Sequence, residues 1–290
     1  MKKLVAAAGV VLLSLGLSSC ASHCGGDSPR GYLLEQMNEA VAWPRIHAAE
    51  GLLSAGAETN AVAKTFRAEL AKPAPDVPWR VGCLRVISQS GSAGERLAAR
   101  RELGAIAVDP DNQGVTHAVE TLMKLGAELT PEEREVIAGY AKADDLRSDY
   151  AIALLAGNGD AGARAELLRR LEAGNPTAAY SYYYLGGLSP QEIAKLREFV
   201  ADPARPAAQR ADVLRALAAQ GGYNDAEHAE MVKMLAAGDS AALRSLFFTA
   251  GDFHRREDLG MLQRYFADKS LPLSTRITAA AALLRIEANR

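Results

Sequence analysis

A twelve-residue register recurs along the chain, and no other feature constrains the fold as tightly. It begins at Arg45, Arg80, Val115, Arg147, Pro176, Arg210, Ser240 and Arg276, in steps of 35, 35, 32, 29, 34, 30 and 36 residues. A period of this length means one small supersecondary unit repeated, and no single unit can bury its apolar stripe without a neighbour. The third, fourth, seventh and eighth places after each start share one face of a helix. They read Ala48, Ala49, Leu52 and Leu53 in the first unit and Ala279, Ala280, Leu283 and Leu284 in the last. Of the 32 such places only Ser88 and Arg244 are plainly polar, so this face is expected to be core. Eleven places after each start stand Gly56, Gly91, Gly126, Asn158, Gly187, Gly221, Gly251 and Glu287. Gly and Asn accept the left-handed conformation that ends a helix.

A second set of helices is announced between these registers. "TPEE" (Thr130 to Glu133) and "SPQE" (Ser189 to Glu192) each supply a hydroxyl cap, a Pro in the first helical place and a Glu three after the cap. That is a capping box. Outer helices such as Pro190 to Ala201 therefore alternate with inner ones such as Ala207 to Ala219, and no stretch shows strand alternation. The expected class is all-α.

Paired helices of about 33 residues, an Arg opening the second helix, and "R-x-x-A-A-x-x-L-L" at Arg45 to Leu53 and Arg276 to Leu284 resemble HEAT repeats, including the HEAT-like type of phycobilisome lyases. The resemblance covers roughly residues 33 to 289. The tetratricopeptide pattern fits less well, because its aromatic and Gly landmarks in the first helix are missing. What the resemblance implies is a right-handed α-solenoid of about eight helix pairs over residues 32 to 290, a curved rod whose inner helices line a concave face. About function it is nearly silent, since such repeats serve as scaffolds, adaptors and a few lyases.

The N-terminus reads "MKKLVAAAGVVLLSLGLSSC": Lys2 and Lys3, an uncharged apolar stretch from Leu4 to Leu17, then small residues into Cys20. This is the pattern of a secretory signal peptide over residues 1 to 19, and the stretch is short of the roughly twenty apolar residues a membrane span needs. "LSSC" resembles the lipobox of bacterial lipoproteins, which implies cleavage before Cys20 and lipidation of that residue, palmitate included. Several acyl chains make membrane attachment essentially permanent. Ala21, not Asp, follows the Cys, which resembles the outer-membrane sorting choice of enteric-type envelopes and places the protein in the periplasm. Residues 20 to 31, rich in Gly, Ser and small polar side chains, read as a flexible tether. Without the leader, 31 basic residues face 35 acidic ones. A mildly acidic exported protein is a poor partner for nucleic acid. Of the remaining cysteines, Cys24 falls in the tether and Cys83 on a core place. Cys83 is therefore expected to be a small core hydrophobe and not half of a disulfide.

The second, fifth and sixth places of each register are expected to face the concave surface. They hold His47 and Glu50 in the first unit, Arg85 in the second, His117 and Glu120 in the third, and Asp212 and Arg215 in the sixth. His and Glu three apart share a helix face, but two repeats of separation puts the two pairs on the order of 20 Å apart, too far to share one metal. Arg85, between them, is no ligand, so no metal and no cofactor is expected. Trp43 and Trp79 precede the first two inner helices, as staples or as platforms for a sugar or peptide. In "YSYYYL" the register sends Tyr180, Tyr183 and Tyr184 to the core and Tyr182 outward. His228 and His254 are expected on solvated faces. No Gly-rich phosphate loop, nucleophile elbow or dense His/Cys/Asp cluster is present, so no catalytic residue is assigned.

Anchor, tether and repeat array together lead to a non-enzymatic, lipid-anchored scaffold binding an envelope protein or peptide through His47, Glu50, Arg85, His117, Glu120, Trp43, Trp79 and Tyr182. A glycan or small-ligand module using Trp43, Trp79, His47 and His117 is the alternative. An envelope enzyme, such as a metal-dependent hydrolase, is the third. The oligomeric state is not legible in the sequence.

Overall fold

The computed structural model describes residues 28–73, 76–219 and 224–289. The leader, Cys20, Cys24, most of the tether and Gly221 lie outside the described residues. The described chain is all-helical, with two short 3₁₀ turns and no strand. The outer helices are α1 (Pro29–Glu39), α3 (Thr59–Leu70), α5 (Ala93–Val108), α7 (Pro131–Tyr140), α9 (Ala161–Glu172), α11 (Pro190–Ala201), α13 (Asp225–Ala237) and α15 (Leu259–Ala267). The inner ones are α2 (Trp43–Ser54), α4 (Val77–Ser90), α6 (Val115–Lys124), α8 (Leu146–Gly157), α10 (Pro176–Ser181), α12 (Ala207–Ala219), α14 (Leu243–Phe253) and α16 (Leu273–Ala288). Both expected capping boxes form, at Thr130 and Ser189, and Ser92 and Asn224 build two more. Each outer helix packs on the inner helix that follows it.

Each inner helix packs on the next, from α2 to α16, and α16 then packs on α2 and α1. The chain closes into a ring. An open curved rod is therefore not what forms, and the reason is readable at the seam. α16 carries Ala279 to Ala282 in succession, all buried. A Cβ placed on Gly51 of α2 would stand 2.9 Å from the Ala281 Cβ, and one on Gly251 of α14 would stand 3.1 Å from the Ala282 Cα. Small residues on three helices let α16 come close to both neighbours, as a keystone does in an arch.

The arginines that open the inner helices are the mortar between units. Arg45 donates to the Met37 carbonyl oxygen at 2.7 Å and pairs with Glu69 at 2.7 Å, joining α1 to α3 across α2. Arg80 reaches Leu70 and Glu102, and Arg210 reaches Val200 and Glu230, in the same way. Arg276 donates to the Phe266 carbonyl at 3.2 Å and stacks on Tyr32 of α1, the next outer helix around the ring. Outside, Arg67–Glu95, Arg100–Glu133, Arg164–Glu192 and Arg197–Glu227 link successive outer helices through the capping-box glutamates.

Closure also changes the burial pattern. The sixth place, expected to face the concave surface, is buried in every unit tested: Gly51, Val86, Thr121, Ala153, Tyr182 and Ala216. An inner helix in a ring has neighbours on both flanks as well as behind, so its buried stripe widens. Gly56, Gly126 and Gly187 adopt the left-handed turn, whereas Gly91 and Gly251 do not. Gly251 is kept small by Ala282 instead. Cys83 is buried and free, with burial pushing its thiol up to about 12. His228 is not on a solvated face; its Nε2 lies 3.0 Å from Asp258. His254 caps α14 in the left-handed region.

Candidate functional site

The side chains that point inward meet around two adjoining chambers of about 510 and 530 Å³. The first is walled by residues from the beginnings of the inner helices, among them Trp43, His117, Pro176 and Thr177. The second is walled by residues nearer their ends, among them Ser54, Gln89, Leu125 and Arg285. His47, Glu50, Arg85, Lys124, Tyr184, Arg215 and Phe248 line both and form the waist between them.

Helical spacing on α2 and α6 sets one side of the wall. Trp43, His47 and Glu50 follow at intervals of four and three on α2, and His117, Glu120 and Lys124 at three and four on α6. One face of each helix carries all three. His47 Nδ1 lies 3.3 Å from Glu50 Oε2, and His117 Nδ1 lies 3.7 Å from Glu120. Between the two helices Arg85, with its side chain only 3% exposed, donates from Nε to Glu50 at 2.5 Å. Burial works against the Glu50 carboxylate, but Arg85, His47 and Lys124 overcome it and hold that carboxyl well below the usual range. Glu120 is treated alike: against burial, His117, Lys124 at 2.8 Å and Arg85 lower it to about 2. Both carboxylates are thus fixed anions.

Side chains of the first and third units come closer together than helix spacing alone implies. The Trp43 and His117 rings are 5.3 Å apart, although α4 lies between their helices. Side chains aimed at the axis of a ring converge, whereas helix-axis spacing measures only the wall. Trp43 also covers Gly82, where a Cβ would come within 3.0 Å of its ring, so it packs on α4 and lines the first chamber at once.

The opposite side is aromatic and cationic. α10 ends after six residues and the 3₁₀ turn Tyr182–Tyr184 follows. Three residues per turn advance each side chain further than an α-helix does. Tyr182, expected outward, is fully buried like the sixth place of the other units, while Tyr180, Tyr183 and Tyr184, expected in the core, reach the cavity. The Tyr180 and Tyr184 hydroxyls are 3.2 Å apart, and Lys124 Nζ lies 5.5 Å from the Tyr180 ring centre. Burial, with nearby Glu120, pushes the hydroxyls of Tyr150 and Tyr180 upward, so both stay protonated. Asp212 accepts from Ser245, yet burial raises its carboxyl above the ordinary aspartate value despite Arg215 and Arg244. Arg244, on a core place in the register, is exposed on the wall of the first chamber.

Of the residues placed on the concave face or beside it from sequence, the ring brings together His47, Glu50, Arg85, His117, Glu120, Asp212, Arg215 and Trp43. Trp79 is not among the cavity residues; it packs half-buried against the core. Tyr182 is core. Arg244, expected to reach a carboxylate or the groove from its core place, does line the cavity; Tyr180 and Tyr184 were assigned to the core, and Lys124, Tyr150 and Phe248 were not assigned to the cavity at all. Arg244 and the tyrosines break an otherwise apolar pattern, and local violations of that kind mark functional positions. No group of three or more His, Cys, Asp or Glu among the described residues is disposed to hold a metal ion. No helix among them is long and apolar enough to cross a membrane. Comparison with family models, curated proteins and solved structures finds no match.

Proposed function

We propose that this chain is a lipid-anchored, non-enzymatic binding protein of the bacterial envelope, built from right-handed HEAT-like helix pairs, that holds a small polar ligand inside its ring. The lumen of the ring carries this reading. The packing of α16 on α2 gathers the inner face of the helices around chambers of about 510 and 530 Å³, a size that suits a small ligand. Ligand pockets run from roughly 300 to 1,000 Å³ and combine aromatic walls with a few fixed polar groups. Here Trp43, Tyr150, Tyr180 and Phe248 supply the first, and the Glu50–Arg85 and Glu120–Lys124 pairs the second. Carboxylates held this low stay ionised near neutral pH and are fixed hydrogen-bond acceptors for a ligand.

The leader and "LSSC" support lipidation at Cys20 and a periplasm-facing outer-membrane location. Cys20→Ala should abolish incorporation of labelled palmitate. For the ligand, full-length protein in detergent is screened by thermal shift with glycans, amino acids and nucleotides. A hit should be lost in Trp43→Ala.

A docked protein partner has one observation in its favour. Val41, Leu146 and Leu273 are exposed at 84%, 52% and 39%, all where inner helices begin. A silent ligand screen, with a co-purifying protein lost on combined replacement of His47, Glu50, His117 and Glu120, would replace the small-ligand reading with that one.

A further inference from the structure

Arg215, on α12, is a buried cation whose surroundings leave its charge incompletely answered. Its side chain is 8% exposed, and it lines both chambers. The guanidinium carbon lies 3.5 Å from the Tyr183 ring centre and 4.1 Å from that of Phe248. Two rings cannot share one face at that range, so each covers a face of the planar cation. Its Nε is buried without a hydrogen-bond partner; the nearest carboxylate oxygen, Asp252 Oδ2, makes only a long ion pair with it at 3.8 Å, while Oδ1 of the same carboxylate pairs with Arg285. No hydrogen bond to any described residue engages the two terminal nitrogens.

With both faces stacked, only the Nη edge remains, and it is at the waist of the cavity. A guanidinium edge offers two parallel donors that match a carboxylate or phosphate, and the rings fix its orientation in advance. A second cation, Arg244, stands on the wall of the first chamber and makes no ion pair among the described residues. The two chambers together present five basic side chains and three acidic ones, in a chain whose formal net charge is −2. Three of the five are already paired, Arg85 with Glu50, Lys124 with Glu120 and Arg285 with Asp252, which leaves Arg215 and Arg244 as the cations without a hydrogen-bonded carboxylate.

We propose that Arg215 anchors an anion-binding subsite at the waist, taking the carboxylate or phosphate of a small organic ligand whose body lies in the first chamber. The proposal rests on the reading of the ring as a ligand-binding cavity and names the chemistry of the ligand. The rings dock the cation, the edge takes the anion, and Arg244 adds attraction from the first chamber.

The test is calorimetric titration of the full chain in detergent with matched probes at millimolar concentration: glucuronate and glucose 6-phosphate, each against glucose, and benzoate against benzamide. The charged member of a pair should bind at least tenfold more tightly than the neutral one, and the glucuronate and phosphate arms separate the two anion types. Arg215→Met should reduce the charged member to the neutral level without lowering the ligand-free melting temperature. Arg215→Lys, which keeps the charge and loses the fork, should keep part of the preference. Equal binding of charged and neutral members, or a preference unchanged in Arg215→Met, overturns the subsite and leaves the cavity reading standing. Binding of none of the probes overturns both.

Discussion

At the scale of single residues, charge is arranged so that the wall of the lumen is rigid. The Glu50–Arg85 pair joins α2 to α4 with the cation almost wholly out of water. Removing one partner of such a pair strands the other, which costs about 3–5 kcal/mol, whereas replacing both is far milder. Glu50→Gln should therefore lower the urea midpoint sharply, and Glu50→Gln with Arg85→Met should recover most of the loss. The same carboxylates set the response to acid. Glu120 has an ordinary value of 4.5 in the unfolded chain and about 2 in the folded one, so its contribution is complete above the unfolded value and is lost as pH falls toward 2. Stability should be flat near neutrality and decline below about pH 4.5, with a shallower decline in Glu120→Gln, as urea midpoints at pH 7, 5 and 3 would show. The paired acids were visible in the sequence as His-Glu echoes. Arg85 was placed on the same face, but its bond to Glu50 was not legible, because a pair across helices depends on how far the helices rotate; Lys124, four residues after Glu120 on α6, was legible and was missed.

Helices explain which expectations survived. Capping boxes at Thr130 and Ser189 were readable because a cap is a local contest between side chain and backbone, settled within four residues. Tyr182 was misplaced because the ring buries the sixth place of the inner helices, and the 3₁₀ turn after α10 further rephases Tyr183 and Tyr184. A short tight turn inside a repeat leaves little trace in periodicity. α16 is the element on which closure depends. Gly51→Val should force α2 off Ala281, an overpacking cost of about 1–3 kcal/mol. Thermal melts should show that loss, and Ala281→Gly in the same chain should return part of it by making room.

Across the whole molecule, closure changes what stability means. In an open array a terminal unit is dispensable, since every other unit keeps its neighbours. In a ring the last inner helix is a neighbour of the first. Deleting residues 256 to 290 removes α15 and α16 and uncovers the flanks of α2 and α14 together. The expected outcome is loss of a single cooperative unfolding transition and gain of dye binding to exposed apolar surface. A truncated chain that still unfolds sharply would show that α16 is not a keystone. Closure also converts a face into a lumen, which is why residues two repeats apart, Trp43 and His117, come into ring contact.

The alternation of helices, the caps and most of the polar cavity residues were determined by the sequence, because each follows from periodicity within one helix or one turn. Whether the array ends open or meets itself was not, because it depends on small angular offsets added over all the units and on the fit of Gly51 and Gly251 against the alanines of α16. The orphaned edge of Arg215 belongs to the same category. Its neighbours Tyr183, on the 3₁₀ turn after α10, and Phe248 and Asp252, both on α14, come from the elements on either side of α12, and only tertiary packing puts them around one cation.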